Sequence, residues 1–327
     1  MKYWAHTVEG KGEDGWHKLA SHLKETGVMM SSFACKEEYK QIFLSAGYLH
    51  DLGKYQPRFQ DYLKNGGRKG SVPHSSFGAG YSLLIKNQEM SFVIDGHHKG
   101  LPDRADWKND VTPYHKGEVN GFDDIIKTFF LDSGIEENFF KTILPAFESL
   151  HERELFTRYL FSSLVDSDWL DTEKNCKPDV ADKRIKRVLE YDSFSQKLAS
   201  YLNGKKQDGE LNQLRNDARE FAVSKAEMPV GFFSMNLPTG MGKTLTSLAW
   251  ALKHGKSNSL KRIIIVLPFI NIIDQTSSIL EELFGEESIL EHHSGIGDEL
   301  SFSENINEYM YQKRLACENW DYPIIVT

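Results

Sequence analysis

The chain has 327 residues, 40% of them hydrophobic and 12% aromatic, which is apolar material for two cores and more than one ordinary domain holds. Its formal net charge of -8 excludes a protein that coats nucleic acid through bulk positive charge, so such a contact must come from a local groove or from metal ions. Cys35, Cys176 and Cys317 lack paired spacing, which argues against a disulfide framework and a cysteine zinc site. The stretch Met1 to His6 has no apolar run of a signal peptide, and no segment approaches the roughly 20 apolar residues of a membrane span. A soluble, cytoplasmic protein without a membrane partner is therefore expected.

From Trp16 to about Glu173 apolar residues recur three and four apart, with Gly, Pro and Asp between the runs. This predicts an all-helical domain. His50 follows Ala46 by four residues and Phe43 by seven, so it points inward with that helical face. A lone inward histidine is usually a packed one. Here Asp51 follows at once, and a buried His-Asp pair needs polar partners or an ion. His22 precedes this pair, and His74 and the doublet His97-His98 come after it. Further on, Asp168 keeps helical step with Leu160 and Leu164 and should face the core, whereas Asp166 lies roughly 200° around the helix. His115 and His151 belong to no motif and read as solvated.

The ordered series His, His-Asp, His, His-His, Asp resembles the HD-domain metal phosphohydrolases. The local wording is more specific. Trp-His-x-Leu-x-x-x-His-Leu, His-Asp-Leu-Gly-Lys, His-Ser-x-x-Gly-Ala, His-His-x-Gly and Asp-x-Asp-Trp-Leu-Asp-Thr-Glu resemble the nuclease domain of the type I CRISPR nuclease-helicases, over nearly all of residues 1–175. The resemblance implies His22, His50, Asp51, His74, His97, His98 and Asp168 as metal ligands, with Asp51 and Lys54 catalytic and Lys54 close to the scissile phosphate. His22 is preferred to His17 because it opens the expected His-Leu helix, and His6 is given only a minor structural role. Two divalent ions sharing Asp51 would activate water and brace both oxygens of an in-line phosphodiester displacement. An imidazole-rich shell favours Mn, Fe, Co or Ni over Mg.

Between Lys174 and Arg219 the chain turns polar, and the domain junction is placed there, giving a helical domain over 1–205 and a second domain over 206–327. The second domain alternates apolar runs with helical patterns: Phe232 to Leu237, Ile263 to Leu267 and Pro323 to Thr327. That alternation predicts a parallel sheet with crossover helices, a partial RecA-like domain. The last run at Thr327 reads as a strand of an unfinished sheet. Leu237-Pro238-Thr239-Gly240-Met241-Gly242-Lys243-Thr244 follows the first run and opens a helix, the context of a phosphate loop. Thr239, Gly240, Met241, Gly242, Lys243 and Thr244 are expected to hold ATP-Mg, with Lys243 on the outer phosphates and Thr244 on Mg. Leu237 is a mild departure, since a small residue is usual there. The blocks around Gln275 and around His293-Ser294 look like DNA-contacting motifs of the same CRISPR family. No run after Thr244 ends in an adjacent Asp-Glu pair, so a motor that cannot unwind DNA by itself is expected.

The resemblance implies a metal-dependent nuclease acting on single-stranded DNA, coupled in an intact protein to an ATP-driven 3'-5' helicase and recruited by a crRNA-guided surveillance complex. Two rivals are an HD nucleotide phosphohydrolase with a regulatory phosphate loop, and a truncated module that binds a partner without cutting.

Overall fold

The computed structural model describes residues 2–68, 70–141, 144–205, 208–295 and 308–327. It is mostly helical, with one small parallel sheet, and divides between Asp182 and Lys183 into two compact units. The expected boundary was 205/206, and Lys206 lies outside the described residues. The shift has a packing cause: Phe194 and Leu198, upstream of 205, are buried in the same core as Leu280 and Phe284. No described helix is long and apolar enough to cross a membrane.

The first unit opens with β1 (Trp4–His6) paired antiparallel to β2 (His17–Lys18). Helices α1 (Leu19–Phe33), α2 (Lys40–Leu49), α3 (Pro57–Asn65), α4 (Ser75–Leu84), α5 (Gln88–Gly96), α6 (Arg104–His115), α7 (Phe122–Ser133), α8 (Leu150–Cys176) and α9 (Pro178–Ala181) follow. Residues Leu52–Tyr55 form a 3-10 turn directly after α2. The buried residues of α1 are Leu19, His22, Leu23, Thr26, Gly27 and Met30, a three-and-four stripe facing the core. Helix α8 buries Phe156, Leu160, Ser163, Leu164, Ser167, Asp168 and Asp171. Its stripe keeps phase along the helix, yet it turns from apolar to ionic after Leu164, a change that packing alone would penalise.

Three glycines set the spacing around α2. A Cβ at Gly47 would come within 2.4 Å of Gly27 Cα, so α1 and α2 touch backbone to backbone. On α4, a Cβ at Gly78 would stand 1.9 Å from the Leu49 carbonyl oxygen. At Gly53, just after Asp51, it would stand 2.3 Å from the His74 carbonyl oxygen. The chain segments carrying His50, Asp51 and His74 can therefore close on one another.

The second unit carries α10 (Tyr191–Gly204), α11 (Glu210–Ser224), α12 (Lys243–Ser257), β3 (Ile263–Ile265), α13 (Ile270–Phe284), β4 (Ile289–Glu291), α14 (Glu308–Asn319) and β5 (Ile324–Val326). Its strands are parallel in the order β3-β5-β4, with Ile263 and Ile289 both beside Ile324. The central strand β5 is wholly buried, the continuous apolar character a parallel strand requires. Of the expected strands, Phe232 to Leu237 is not one. It pairs with no strand among the described residues, Phe232 is exposed, and the Phe233 ring packs on Trp250 and His254 of α12. An apolar run becomes a strand only where a neighbour accepts its hydrogen bonds.

The Gly78 contact can be checked. Gly78→Ala should destabilise the chain by about 1–3 kcal/mol, the usual cost of forcing a methyl into a packed interior, and urea unfolding should show a lower midpoint with an unchanged slope.

Candidate metal centre and phosphate loop

Histidines and carboxylates from five elements meet in the first unit. His22 comes from α1, His50 caps α2 with Asp51 next to it, His74 caps α4 at its N-terminus, His97 and His98 follow α5, and Asp168 comes from α8. His22, His50 and Asp51 are 0% exposed. The rings are oriented alike. His50 Nδ1 donates to Gly47 O at 2.7 Å, His97 Nδ1 to Ile94 O at 2.6 Å and His74 Nδ1 to Val72 O at 3.3 Å. Each of these bonds directs Nε2 toward Asp51.

The two oxygens of Asp51 face different groups. Oδ2 lies 3.3 Å from both His22 Nε2 and His50 Nε2, and Asp168 Oδ1 lies 3.2 Å and 3.6 Å from the same two atoms. Oδ1 lies 3.3 Å from His74 Nε2 and 3.6 Å from His97 Nε2, while His98 Nε2 is 2.8 Å from His74 Nε2. Ligand atoms bound to one ion at its usual bond length stand roughly 3 Å apart. Both groups fit that spacing. Asp51 Oδ1 and His97 Nε2 are buried without a hydrogen-bond partner among the described residues, and Asp51 Oδ2 has the ion pair to Lys54 but no well-directed hydrogen bond; a cation placed there would repay the desolvation.

Charges in the cage follow from these contacts. Burial opposes the His22 imidazolium, but Asp168, Asp171 and Asp51 raise its pKa to about 10. Burial likewise opposes that of His50, which Asp51 and Asp168 bring to about 9. Burial works against the Asp51 carboxylate, yet Lys54, His50 and His22 hold its pKa well below the usual range. The second group differs: burial lowers His97, and burial with the neighbouring His97 lowers His98 to about 3. Those rings are neutral donors.

Three further residues pack around the cage. Lys54 was expected to reach toward a phosphate, but it is 3% exposed, with Nζ 2.6 Å from Asp51 Oδ2 and bonded to Ala5 O at 3.3 Å. Burial of the turn draws it inward to balance Asp51. His6 was given only a minor structural role; its ligand atom groups with those of His22, Asp51 and Asp168, and its Nε2 is 3.2 Å from Lys54 Nζ. His17, set aside in favour of His22, is buried 3.4 Å from Asp171. Asp171 itself was missed as a site residue; its signal is its place three residues after Asp168 on the same face. His115 and His151 are exposed.

In the second unit Gly240 and Gly242 have φ of +84° and +74°, values that favour glycine. Gly242 caps α12 with no side chain accepting from its first N–H groups, which leaves donors for an anion. Thr239, Lys243 and Thr244 are exposed, and Met241 is half-buried. Arg215 on α11 donates to Gly240 O through Nε at 2.9 Å and Nη2 at 2.6 Å. A cavity of about 380 Å³ beside the loop is lined by Lys205, Arg215, Arg219, Asn212, Asn216 and Met241, among others. Gln275 and Ser294 are exposed. His293 is not a free ring: Nε2 donates to Glu291 at 2.9 Å, and Nδ1 accepts from Gly295 N.

Comparison with known proteins agrees with this architecture. Residues 205–324 match the family described as Type III restriction enzyme, res subunit. The chain is similar to the CRISPR-associated nuclease/helicase Cas3 of Haloferax volcanii, 23% identical over 352 aligned positions that cover 84% of this chain and 36% of that protein. Crystal structures of T. fusca Cas3 with ADP and with ATP match at TM-scores of 0.56, with 14% and 15% identity, over 99% of this chain and 42% of theirs. The chain shares that fold, and it spans little more than a third of the curated relative's length.

The cage geometry generates a test. A transition-metal ion at about 100 times its Kd should stabilise chelator-treated protein by about 2.7 kcal/mol, several degrees in thermal melting. Mn or Co should give that shift, and Asp51→Asn should remove it.

Proposed function

We propose that the first unit is an HD-type nuclease domain that cuts single-stranded DNA with two divalent metal ions, and that the second unit is part of a RecA-like ATP-binding domain of a superfamily 2 helicase. In an intact protein the pair would serve type I CRISPR interference, recruited by a crRNA-guided surveillance complex to degrade invading DNA. The observation that carries the nuclease reading is Asp51, whose two oxygens face separate groups of imidazole nitrogens. Similarity to a protein named nuclease/helicase supports it further.

Asp51 would be shared, with His22, His50 and Asp168 on one side and His74, His97 and His98 on the other. Divalent ions held there would supply positive charge to polarise water and to hold the phosphodiester oxygens. The Nδ1 bonds of His22, His50, His74 and His97 would fix those rings before substrate arrives and so limit reorganisation during the reaction. Lys54, whose Nζ stands 2.6 Å from Asp51 Oδ2, would lend its charge to a phosphate held by those ions. In the second unit the open N–H groups of α12 and the Lys243 ammonium would take the phosphates of ATP, and Thr244 its Mg.

The test uses the metal-loaded chain on circular single-stranded DNA and on free dNTPs. DNA nicking without dNTP hydrolysis is expected, and the opposite pattern would favour a nucleotide phosphohydrolase. Asp51→Ala and Asp168→Asn should each slow nicking by at least about a hundredfold, the scale on which a preorganised charge contact is felt, while Asp166→Asn should be near wild type. Lys243→Ala should leave nicking unchanged and weaken ATP binding, measured with a fluorescent analogue, by about tenfold or more.

A further inference from the structure

Three of the cage histidines are oriented through Nδ1 by nearby carbonyls of their own segment: His50 by Gly47, His97 by Ile94 and His74 by Val72. His22 is oriented differently. Its Nδ1 meets Asp171 Oδ2 at 2.6 Å, across 149 residues of chain. Asp171 is 1% exposed and held from all sides. Its Oδ1 accepts from Asn175 Nδ2 at 3.1 Å, the same amide donates to the Asp171 carbonyl at 2.9 Å, and His17 Nε2 stands 3.4 Å from Oδ2. The β1–β2 pairing brings His17 beside His6 and closes this corner.

We propose that Asp171 is a positioning residue acting through His22, and that it makes the group of His22, His50, Asp51 and Asp168 the tighter of the two metal positions. The proposal rests on the reading of the cage as a metal centre. Asp171 is not a ligand to that ion, because it meets His22 at Nδ1, the opposite edge of the ring from the Nε2 that faces Asp51 and Asp168. A carboxylate behind an imidazole fixes its tautomer and orientation and increases electron donation from the other nitrogen. A backbone carbonyl orients the ring but carries no charge. Among the described residues, the Nδ1 contacts of the group of Asp51, His74, His97 and His98 are the carbonyls at His74 and His97, so the two positions should differ in affinity even though they share Asp51. The location on α8 follows from helix phase: Leu164, Asp168 and Asp171 lie on one face, and the step from 168 to 171 moves the second carboxylate one turn back, behind the ligand ring.

The experiment titrates the full chain, after chelator treatment, with Mn and counts free Mn by electron paramagnetic resonance. Wild type should bind two equivalents of unequal affinity. Asp171→Asn keeps shape and an acceptor but removes the charge, and should weaken the tighter equivalent by about 10- to 100-fold while the other changes little. In wild type loaded with diamagnetic Zn, nitrogen NMR should find the His22 ring proton on Nδ1, a readout that does not depend on any variant folding. If wild type binds two equivalents and Asp171→Asn binds both as before, or loses both alike, Asp171 is only a structural brace and the proposal fails. A His22 proton on Nε2 overturns it as well. If wild type binds no Mn, the metal reading itself falls and takes this inference with it.

Discussion

A carboxylate removed from water needs cationic or hydrogen-bonding company, and the Asp51 carboxylate has been removed completely. Its neighbours answer that demand from every direction: Lys54 on the next turn, His22 and His50 at one oxygen, His74 and His97 at the other. Much of the first unit can be read as the means of delivering those groups. The α1 and α2 backbones meet at Gly27 and Gly47, and α4 meets the end of α2 at Gly78. Had any of these glycines carried a side chain, the helices would stand farther apart and the imidazoles would no longer converge.

The same demand explains the charge state of the cage. The carboxylates Asp51 and Asp168 raise the pKa of the His22 and His50 rings they face, and Lys54 stands beside Asp51. A divalent ion accepted by Nε2 must displace the proton held there. In the second group burial lowers His97 and His98 instead, so those two rings carry no extra proton. The two halves of the cage therefore meet a metal ion on different terms: one offers the basic, carboxylate-backed ring of His22, the other the rings of His97 and His98, which burial keeps neutral.

What the sequence reveals depends on how local the signal is. His50-Asp51 stands out because two residues that dislike burial lie together at the end of an apolar face, and Asp168 is found by helical phase alone. Phase points equally to Asp171, but nothing local shows that its partner is a ring 149 residues away. His6 and His17 were noticed but not placed in the cage, because a three-residue strand paired to a two-residue strand has no periodicity to show which way its side chains point. The compact units divide upstream of 205 because the apolar face of α10 fits any core, and only tertiary packing assigns Phe194 and Leu198 to the second. The run from Phe232 to Leu237 has strand composition, but composition does not supply a pairing neighbour.

The two candidate sites attract anions by opposite means, which is a consequence of an acidic chain. At the phosphate loop the positive charge is built in: Lys205, Arg215 and Arg219 line the adjacent cavity, and the first turn of α12 leaves its N–H groups uncapped. A nucleotide would meet favourable potential there without help. The cage contains three carboxylates against its imidazoles and Lys54, so a phosphodiester approaching it without metal meets little net attraction. Only ions placed between Asp51, Asp168 and the imidazoles would turn that surface into one that holds a phosphate. On the proposed reading, engagement of DNA by the first unit is thus tied to metal loading, whereas the phosphate-binding character of the second unit is fixed in the polypeptide.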